Sequence, residues 1–431
     1  MARIVPTLQP LRVPRMFSRS CFLLLLAALM VVAGCAGRQA PSRTASPQSG
    51  GLLETRSAPT PQPVTVLLVL PLGNAYGAFA SKVAAGAQIA VARLARDGVR
   101  VQLQIVDTAA ADWLDQVMRT SPSVLIGGPM LAQDLMPLLS LAPRRQVFAL
   151  MPEFPTGLPQ EGRDAWRFFT SPRDHIETML TTARDHFGVK DVGVLYPDES
   201  FGQRRAQLFQ DVAREMGMLT KAAAAYDPAE PLRWNRQVAA FLEQGYAAGV
   251  PGGRHPGMEA VFLPDAWSQA QMLVPLFSYY QEDHMLVLGS ALWDQTLAMR
   301  PEDQQPFRLA MFPGAWWEGN AAPEARALVS ALGAKPDYWH ALGYDFIRFA
   351  ATMGPLPANA DAQWINTRLQ AVQHMAWSMA PLRWNARGMA SQRLFVFAPT
   401  PSGPVPANLE AIRSRFAEAA RNYRIRMNGM P

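Results

Sequence analysis

The sequence predicts an α/β protein built as two doubly wound parallel-sheet lobes. Three observations predict it. Strand-like apolar runs alternate with helical periods, the alternation comes in two successive series, and the series meet at the breaker Ser171-Pro172. With 431 residues, 49% of them hydrophobic, the chain can bury two cores.

The founding unit is Val64–Leu94. Val64–Leu70 is a continuous run rich in Val and Leu, the pattern of a strand covered on both faces. Pro71-Leu72-Gly73-Asn74 breaks it, and from Gly77 the period changes. Val83, Ala87, Ala90 or Val91, and Leu94 then share one helical face. Asp97-Gly98 stops that helix, and Val101–Val106 reads as the next strand. Ligands of open α/β sheets bind at strand carboxyl ends, which makes the loop after Leu70 a candidate site. A buried strand-turn-helix with no site fits the same residues.

The first series continues with helix Ala110–Arg119, strand Ser123–Ile126, helix Leu131–Leu141, strand Val147–Leu150 and the short strand Trp166–Thr170. Helix Arg173–Phe187 leads to strand Val192–Tyr196, helix Gly202–Met216, a short segment Ala222–Tyr226 and helix Leu232–Gln244. After a Gly/Pro insertion, Gly249–Gly257, come strand Ala260–Leu263, helix Ser268–Tyr280 and strand Met285–Leu288. Phe307–Phe312 reads as a crossing strand, Asp337–Met353 as a helix and Arg393–Phe397 as a late strand.

Residues 1–34 read as a targeting segment. Arg3, Arg12, Arg15 and Arg19 precede an apolar core, Cys21–Val32, that is short for a bilayer span. The segment ends in Val32-Ala33-Gly34-Cys35, which resembles the bacterial lipoprotein processing box. That resemblance implies cleavage before Cys35 and acylation of its sulfur and new amine, hence a stable membrane anchor; an uncleaved signal anchor is the alternative. The mature chain would then hold no free thiol and no disulfide. Residues 36–63, rich in Pro, Ser, Ala and Gly, read as a disordered tether. Its ends would average roughly 30 Å apart, with a reach of about 90 Å.

Loss of the four leader arginines reduces the formal charge from +6 to +2, so the balance gives no ground for a nucleic-acid partner. The six histidines (His175, His186, His255, His284, His340, His374) show no metal-ligand spacing. Neither a GxSxG elbow nor a GxxxxGK[ST] loop occurs, and no SxxK ends at any of the four lysines. The expectation is a protein without catalytic residues, metal or cofactor.

VLLVLPLGNAYGAFASKVAAGAQIA, LIGGPMLAQDLMPLL, WRFFTSPRDHIETML, VGVLYPDESFGQ and YWHALGYDFIRFA stand in the order seen in type I periplasmic binding proteins. Over about residues 64–400 the chain resembles that family, the leucine-binding-protein fold. The GPMLAQDLMPLL segment and the lipoprotein start look most like the penicillin-binding-protein activator lipoproteins. Solute receptors of branched-chain amino-acid transporters are the alternative. The resemblance implies three interlobe crossings, placed near Ser171, near 300–315 and near 380–392. One lobe would comprise 64–171 plus about 316–380, and the other 172–310 plus about 385–431. It also implies a non-enzymatic envelope protein that stimulates a peptidoglycan synthase, or else a receptor that closes on a small solute. Ala36 after the Cys points to the outer membrane.

Candidate cleft residues follow from the strand ends: Asn74, Tyr76, Gly128, Pro129, Met130, Thr170, Ser171, Tyr196, Asp198, Trp293 and Asp294. Gly127-Gly128-Pro129 would let the backbone approach a ligand, with helix N–H groups facing an anion; a tight strand-to-helix turn is the other reading. Asp198 is read either as an acceptor for a ligand amine or as a helix cap. Trp293-Asp294 offers a stacking surface and a carboxylate, or simply core packing. Trp316-Trp317, beyond the crossing strand, reads in the same two ways. An amino-acid site of this family would carry hydroxyls just after the Gly-Gly-Pro turn. Here Met130-Leu131-Ala132-Gln133 follows, with no Ser or Thr before Ser140, although Thr170 and Ser171 can substitute in part. At the C-terminus Leu409, Ile412, Phe416, Ala419 and Tyr423 share a helical face, with Arg413, Arg415, Arg421 and Arg424 elsewhere. That helix would meet an anionic membrane or pack on the second lobe.

Overall fold

The structure, a computed structural model, describes residues 63–428 apart from 156, 158 and 246–256. The leader, Cys35, the tether, His255 and most of the Gly249–Gly257 insertion therefore lie outside the described residues.

The first lobe is laid down by β1 (Val64–Leu70), α1 (Gly77–Arg96), β2 (Val101–Asp107), α2 (Trp113–Met118), β3 (Leu125–Gly127), α3 (Ala132–Leu139), β4 (Gln146–Ala149) and β5 (Trp166–Arg167). Its sheet is parallel, in the order β2-β1-β3-β4-β5. β1 feeds both faces, as its unbroken apolar run requires. Val66, Leu68 and Leu70 join one core with Val83 and Ala87 of α1, while Leu67 and Val69 join another with Ile126 and Leu135.

The second lobe follows as α4 (Pro172–Phe187), β6 (Asp191–Pro197), α5 (Ser200–Glu215), β7 (Leu219–Tyr226), α6 (Trp234–Gly245), β8 (Ala260–Leu263), α7 (Trp267–Tyr279), β9 (Leu286–Gly289), α8 (Leu292–Thr296) and β10 (Ala310–Gly314). The chain then forms α9 (Pro323–Leu332), α10 (Tyr338–Met353) and α11 (Ala362–Val372), whose apolar faces enter the first lobe's core. α10 lies against α1 backbone to backbone. A Cβ on Gly86 would stand 1.9 Å from His340 O, and one on Gly343 equally close to Val83 O, so only glycine permits this approach.

A hairpin, β11 (Leu382–Trp384) and β12 (Ala390–Gln392), comes next, and Leu382, Trp384 and Ala390 also join the first lobe's core. The chain returns to the second sheet as β13 (Phe395–Thr400) and β14 (Gly403–Pro406), and ends in α12 (Leu409–Asn428). That sheet runs β14-β13-β10-β9-β8-β6-β7. β6 to β10 are parallel, but β13 and β14 add an antiparallel edge that the all-parallel expectation lacked. The chain thus passes between lobes three times: between β5 and α4, between β10 and α9, and at residues 393–394. Ala315, Ala380 and Leu394 pack together at those passages.

One further expectation differs in detail, and one open pair of readings is resolved. The helix expected over Ala110–Arg119 is confined to Trp113–Met118, because Ala110 N–H and Trp113 N–H are drawn into turns by Asp107 O and Ala110 O. On α12, Ile412, Ala419 and Tyr423 are buried against the second lobe, the second of the two readings given for that helix. Among the described residues no helix is long and apolar enough to cross a bilayer.

Candidate functional site

The strand carboxyl ends of the two sheets define the site region. In the first lobe, Asp107 Oδ1 at the end of β2 accepts from Leu72 N (2.9 Å) and Gly73 N (3.2 Å), fixing the turn after β1. Asn74 Oδ1 accepts from Tyr76 N at 2.8 Å, and both residues stay exposed, Tyr76 by 51%. The exposed Tyr76 ring can meet a ligand, while Asn74 Oδ1 is engaged by the turn.

Gly128 is different. Its φ of +104° and the 2.2 Å that would separate a Cβ from Val69 O make glycine obligatory, and its peptide to Pro129 is cis. Its N–H donates to Phe148 O (2.8 Å), and Pro129 O accepts from Leu150 N (3.0 Å). The turn therefore spends its groups on β4 rather than presenting them. Met130 is half-buried against the core. The first turn of α3, read as an anion cradle, carries the chain's own buried Asp134, whose Oδ2 has no partner among the described residues. Burial pushes that carboxyl up, against hydrogen bonds from Thr108 and Gln133.

Ser171 is the N-cap of α4. Its Oγ accepts from Asp174 N (3.0 Å) and donates to Asp174 Oδ2 (2.8 Å), while Ser171 N donates to the same oxygen (2.7 Å). This capping box consumes the hydroxyl that the sequence offered to a ligand. The pattern Ser-Pro-Arg-Asp carried the signal for it. Thr170 is also buried, and its Oγ1 has no partner.

In the second lobe, Tyr196 is half-buried and packs against the core. Asp198 is exposed and accepts from Gln203 Nε2 at 3.1 Å. Trp293 is no stacking platform. It is fully buried among Trp267, Phe307 and Phe312, because α8 turns the indole back over Gly289. Trp316 is likewise in a core, whereas Trp317 is half-buried. Asp294, beside the buried Trp293 on α8, is exposed. Partial desolvation pushes its carboxyl up; Asp337 adds to the shift and Lys335 opposes it.

Asp337 stands at the head of α10. It caps Trp339 N (3.1 Å) and His340 N (3.3 Å), and takes Lys82 Nζ at 2.6 Å and His340 Nδ1 at 2.8 Å. Burial would raise its pKa, but Lys82 and His340 outweigh burial and hold the carboxyl low. Sequence reading missed this residue, although an Asp directly before an aromatic helical run is a cap signal. It also missed the interlobe pair of Glu153, after β4, with Arg205 of α5 (2.7 Å). A third missed group is Asp265, which takes the Tyr226 hydroxyl and whose carboxyl burial pushes up, against the bonds from Tyr226 and Ala266 N. Aromatic rings line the first lobe's side, with Phe79 5.0 Å from Trp339 and Phe169 5.4 Å from Tyr338.

The structure thus relates Asp294 electrostatically to the α10 head and buries Trp293, Ser171 and Gly128 in structural roles. A groove of about 700 Å³ beside Met353, Trp364 and Arg368 belongs to the other end of α10. Among the described residues no group of His, Cys, Asp and Glu is placed to hold a metal ion.

Two α/β lobes joined by three passages, with strand carboxyl ends turned toward the gap, define a two-lobed binding protein. The family described as periplasmic binding protein matches residues 63–354, and the chain belongs to that family. A comparison with curated protein sequences found no match. Among solved structures the fold is similar to a putative branched-chain amino acid ABC transporter protein from Rhodospirillum rubrum (15% identity, TM-score 0.57, 80% of this chain and 100% of that one). It is equally similar to the C-domain of LpoA from Haemophilus influenzae, a regulator of PBP1A (15% identity, TM-score 0.57, 80% and 99%). The leucine-binding protein LivK from Thermotoga maritima follows at 16% identity and TM-score 0.52 (80% and 97%). At these identities the likeness is one of fold.

Proposed function

We propose that the chain is a lipid-anchored, non-enzymatic regulator of peptidoglycan synthesis in the bacterial envelope. On this reading it is held through Cys35, faces the periplasm from the outer membrane and contacts a peptidoglycan synthase. One observation carries the reading. The groups that would hold a free amino acid's carboxylate after the third strand are already spent: Gly128 N–H on Phe148 O, and Ser171 Oγ on its own helix. Pro129 has no N–H to offer an anion. A zwitterion buried there without partners would cost several kcal/mol per charge.

The second reading, a solute receptor of a branched-chain amino-acid-type transporter, is favoured by Thr170, whose buried hydroxyl lacks a partner. Calorimetry of residues 64–431 with the twenty common amino acids separates the two. No binding tighter than roughly 100 µM, about −5.5 kcal/mol, is expected. One micromolar binder transfers the protein to the transport reading. Pull-down of the anchored protein from envelope extracts should enrich a synthase; enrichment of a permease complex instead would reverse the assignment.

A further inference from the structure

The hairpin of β11 and β12 has two unlike sides. Its inner side is fastened to both lobes. Ala390 N donates to Glu161 Oε1 (2.8 Å), Gln392 N to Asp174 Oδ1 (3.0 Å) and Leu394 N to Thr178 Oγ1 (3.3 Å). Trp384 Nε1 reaches Arg167 O at 3.2 Å.

The outer side is cationic and open. Arg383 and Ser391 are register partners, and Arg393 follows directly after the end of β12. Arg387 sits in the connecting turn beside Met389, which is 42% exposed, and all three arginines are exposed. Among the described residues none of the three guanidiniums has an ion pair or a hydrogen bond. The sequence supplies no neighbouring counter-charge along the chain, because no Asp or Glu occurs between Asp361 and Glu410. Arg393 acts electrostatically on Asp185 of α4, which already pairs with Arg184.

We infer that this outer face is a docking surface for an acidic segment of a protein partner, which deepens the regulatory reading above and rests on it. Unpaired guanidiniums fit carboxylates, two hydrogen bonds to each. Met389 among the arginines gives an apolar anchor, and exposed Met with Arg is the composition of protein interfaces. Three cations without an accompanying apolar face are few to hold a lipid surface, where clusters of four to eight are typical. Because the inner side is bonded to Asp174 and Thr178 of one lobe and Glu161 of the other, a partner seated here bears directly on the passages between lobes.

The test uses the full chain in detergent and the purified periplasmic portion of a bifunctional peptidoglycan synthase. Poly-glutamate and phosphatidylglycerol vesicles serve as separate probes. Synthase binding should weaken at least tenfold in the triple variant Arg383→Glu/Arg387→Glu/Arg393→Glu, and should weaken with added salt. Met389→Lys, which keeps the cations, should weaken it severalfold, whereas unchanged synthase affinity in the triple variant overturns the surface. If the wild-type chain does not bind the synthase, the regulatory reading fails on its own. The surface is then judged by poly-glutamate, with loss in the triple variant supporting it and equal or absent binding overturning it. Vesicle binding that depends on the three arginines overturns the protein partner in favour of a membrane.

Discussion

Arg167 Nη1 stands 3.2 Å from Asp174 Oδ2 at the first passage between the lobes, and both side chains are buried. Neither charge is left with a single partner. Asp174 also takes two bonds from Ser171 and one from Gln392 N, and Arg167 reaches the carbonyls of Phe169 and Ala390. One ion pair thereby ties the end of the first sheet, the start of α4 and the edge of the hairpin.

Removing Asp174 leaves the buried Arg167 with Glu161, at 3.5 Å, as its one carboxylate partner among the described residues and breaks the cap of α4. Asp174→Ala should therefore cost about 3–5 kcal/mol in urea unfolding. Arg173→Ala, one residue away but in an exposed cluster with Glu177 and Glu215, should change stability little. Similar losses from the two variants would refute the assignment.

Two buried groups pull the pH dependence in opposite directions. Burial pushes the Asp345 carboxyl up to about 6, against bonds from Met379 N and Ser378 N and the charge of Arg348. Its folded pKa lies above the unfolded one, so the stability it contributes is present below about pH 4 and lost as pH rises through 6. Burial brings His175 down to about 4; Asp174 opposes that shift, and Arg205 and Arg167 reinforce it. Its contribution is present above about pH 6.5 and lost as pH falls through 4. Each is on the order of 3 kcal/mol at most. Asp345→Asn should thus make acidification between pH 6.5 and 4 more destabilising, and His175→Gln should make it less so. Unfolding midpoints across that range, with both variants following the wild-type slope, would contradict the pairing.

Gly128→Ala should fold poorly. Its φ of +104° disfavours any side chain, and the Cβ would meet Val69 O at 2.2 Å. A variant melting within a few degrees of wild type would show that the turn can relax.

Trp293→Ala should cost about 3–5 kcal/mol as a core truncation, while any cleft ligand or partner binds the surviving folded fraction with unchanged affinity. Affinity lost without stability would restore the stacking role that the sequence suggested.

Cys35→Ser should leave an unprocessed precursor with no acyl label. Metabolic labelling with a fatty-acid analogue reads this directly, and normal acylation of the variant would remove the anchor from Cys35.

Where the sequence was legible, one pattern governed both faces of an element. β1 spans Val64–Leu70 as read, since a doubly covered strand needs an unbroken apolar run, and α10 begins just after Asp337 because that residue caps it. The hairpin was not legible. Leu-Arg-Trp and Ala-Ser-Gln are too short for a period, and their partners Arg167 and Asp174 are more than 200 residues away in sequence. Trp293 was left between two roles for a related reason: an aromatic after a strand looks alike whether it turns out to the gap or back over a glycine. Ser171 was readable and overlooked, because its cap partner lies three residues on.

The fastening of β12 has one more effect. An edge strand with free N–H groups is a template on which a second chain can add a strand. Here the N–H groups of Ala390, Gln392 and Leu394 are each closed by a side chain from elsewhere in the fold. In a crowded compartment β12 can lie beside an exposed face without offering those N–H groups to a copy of the chain.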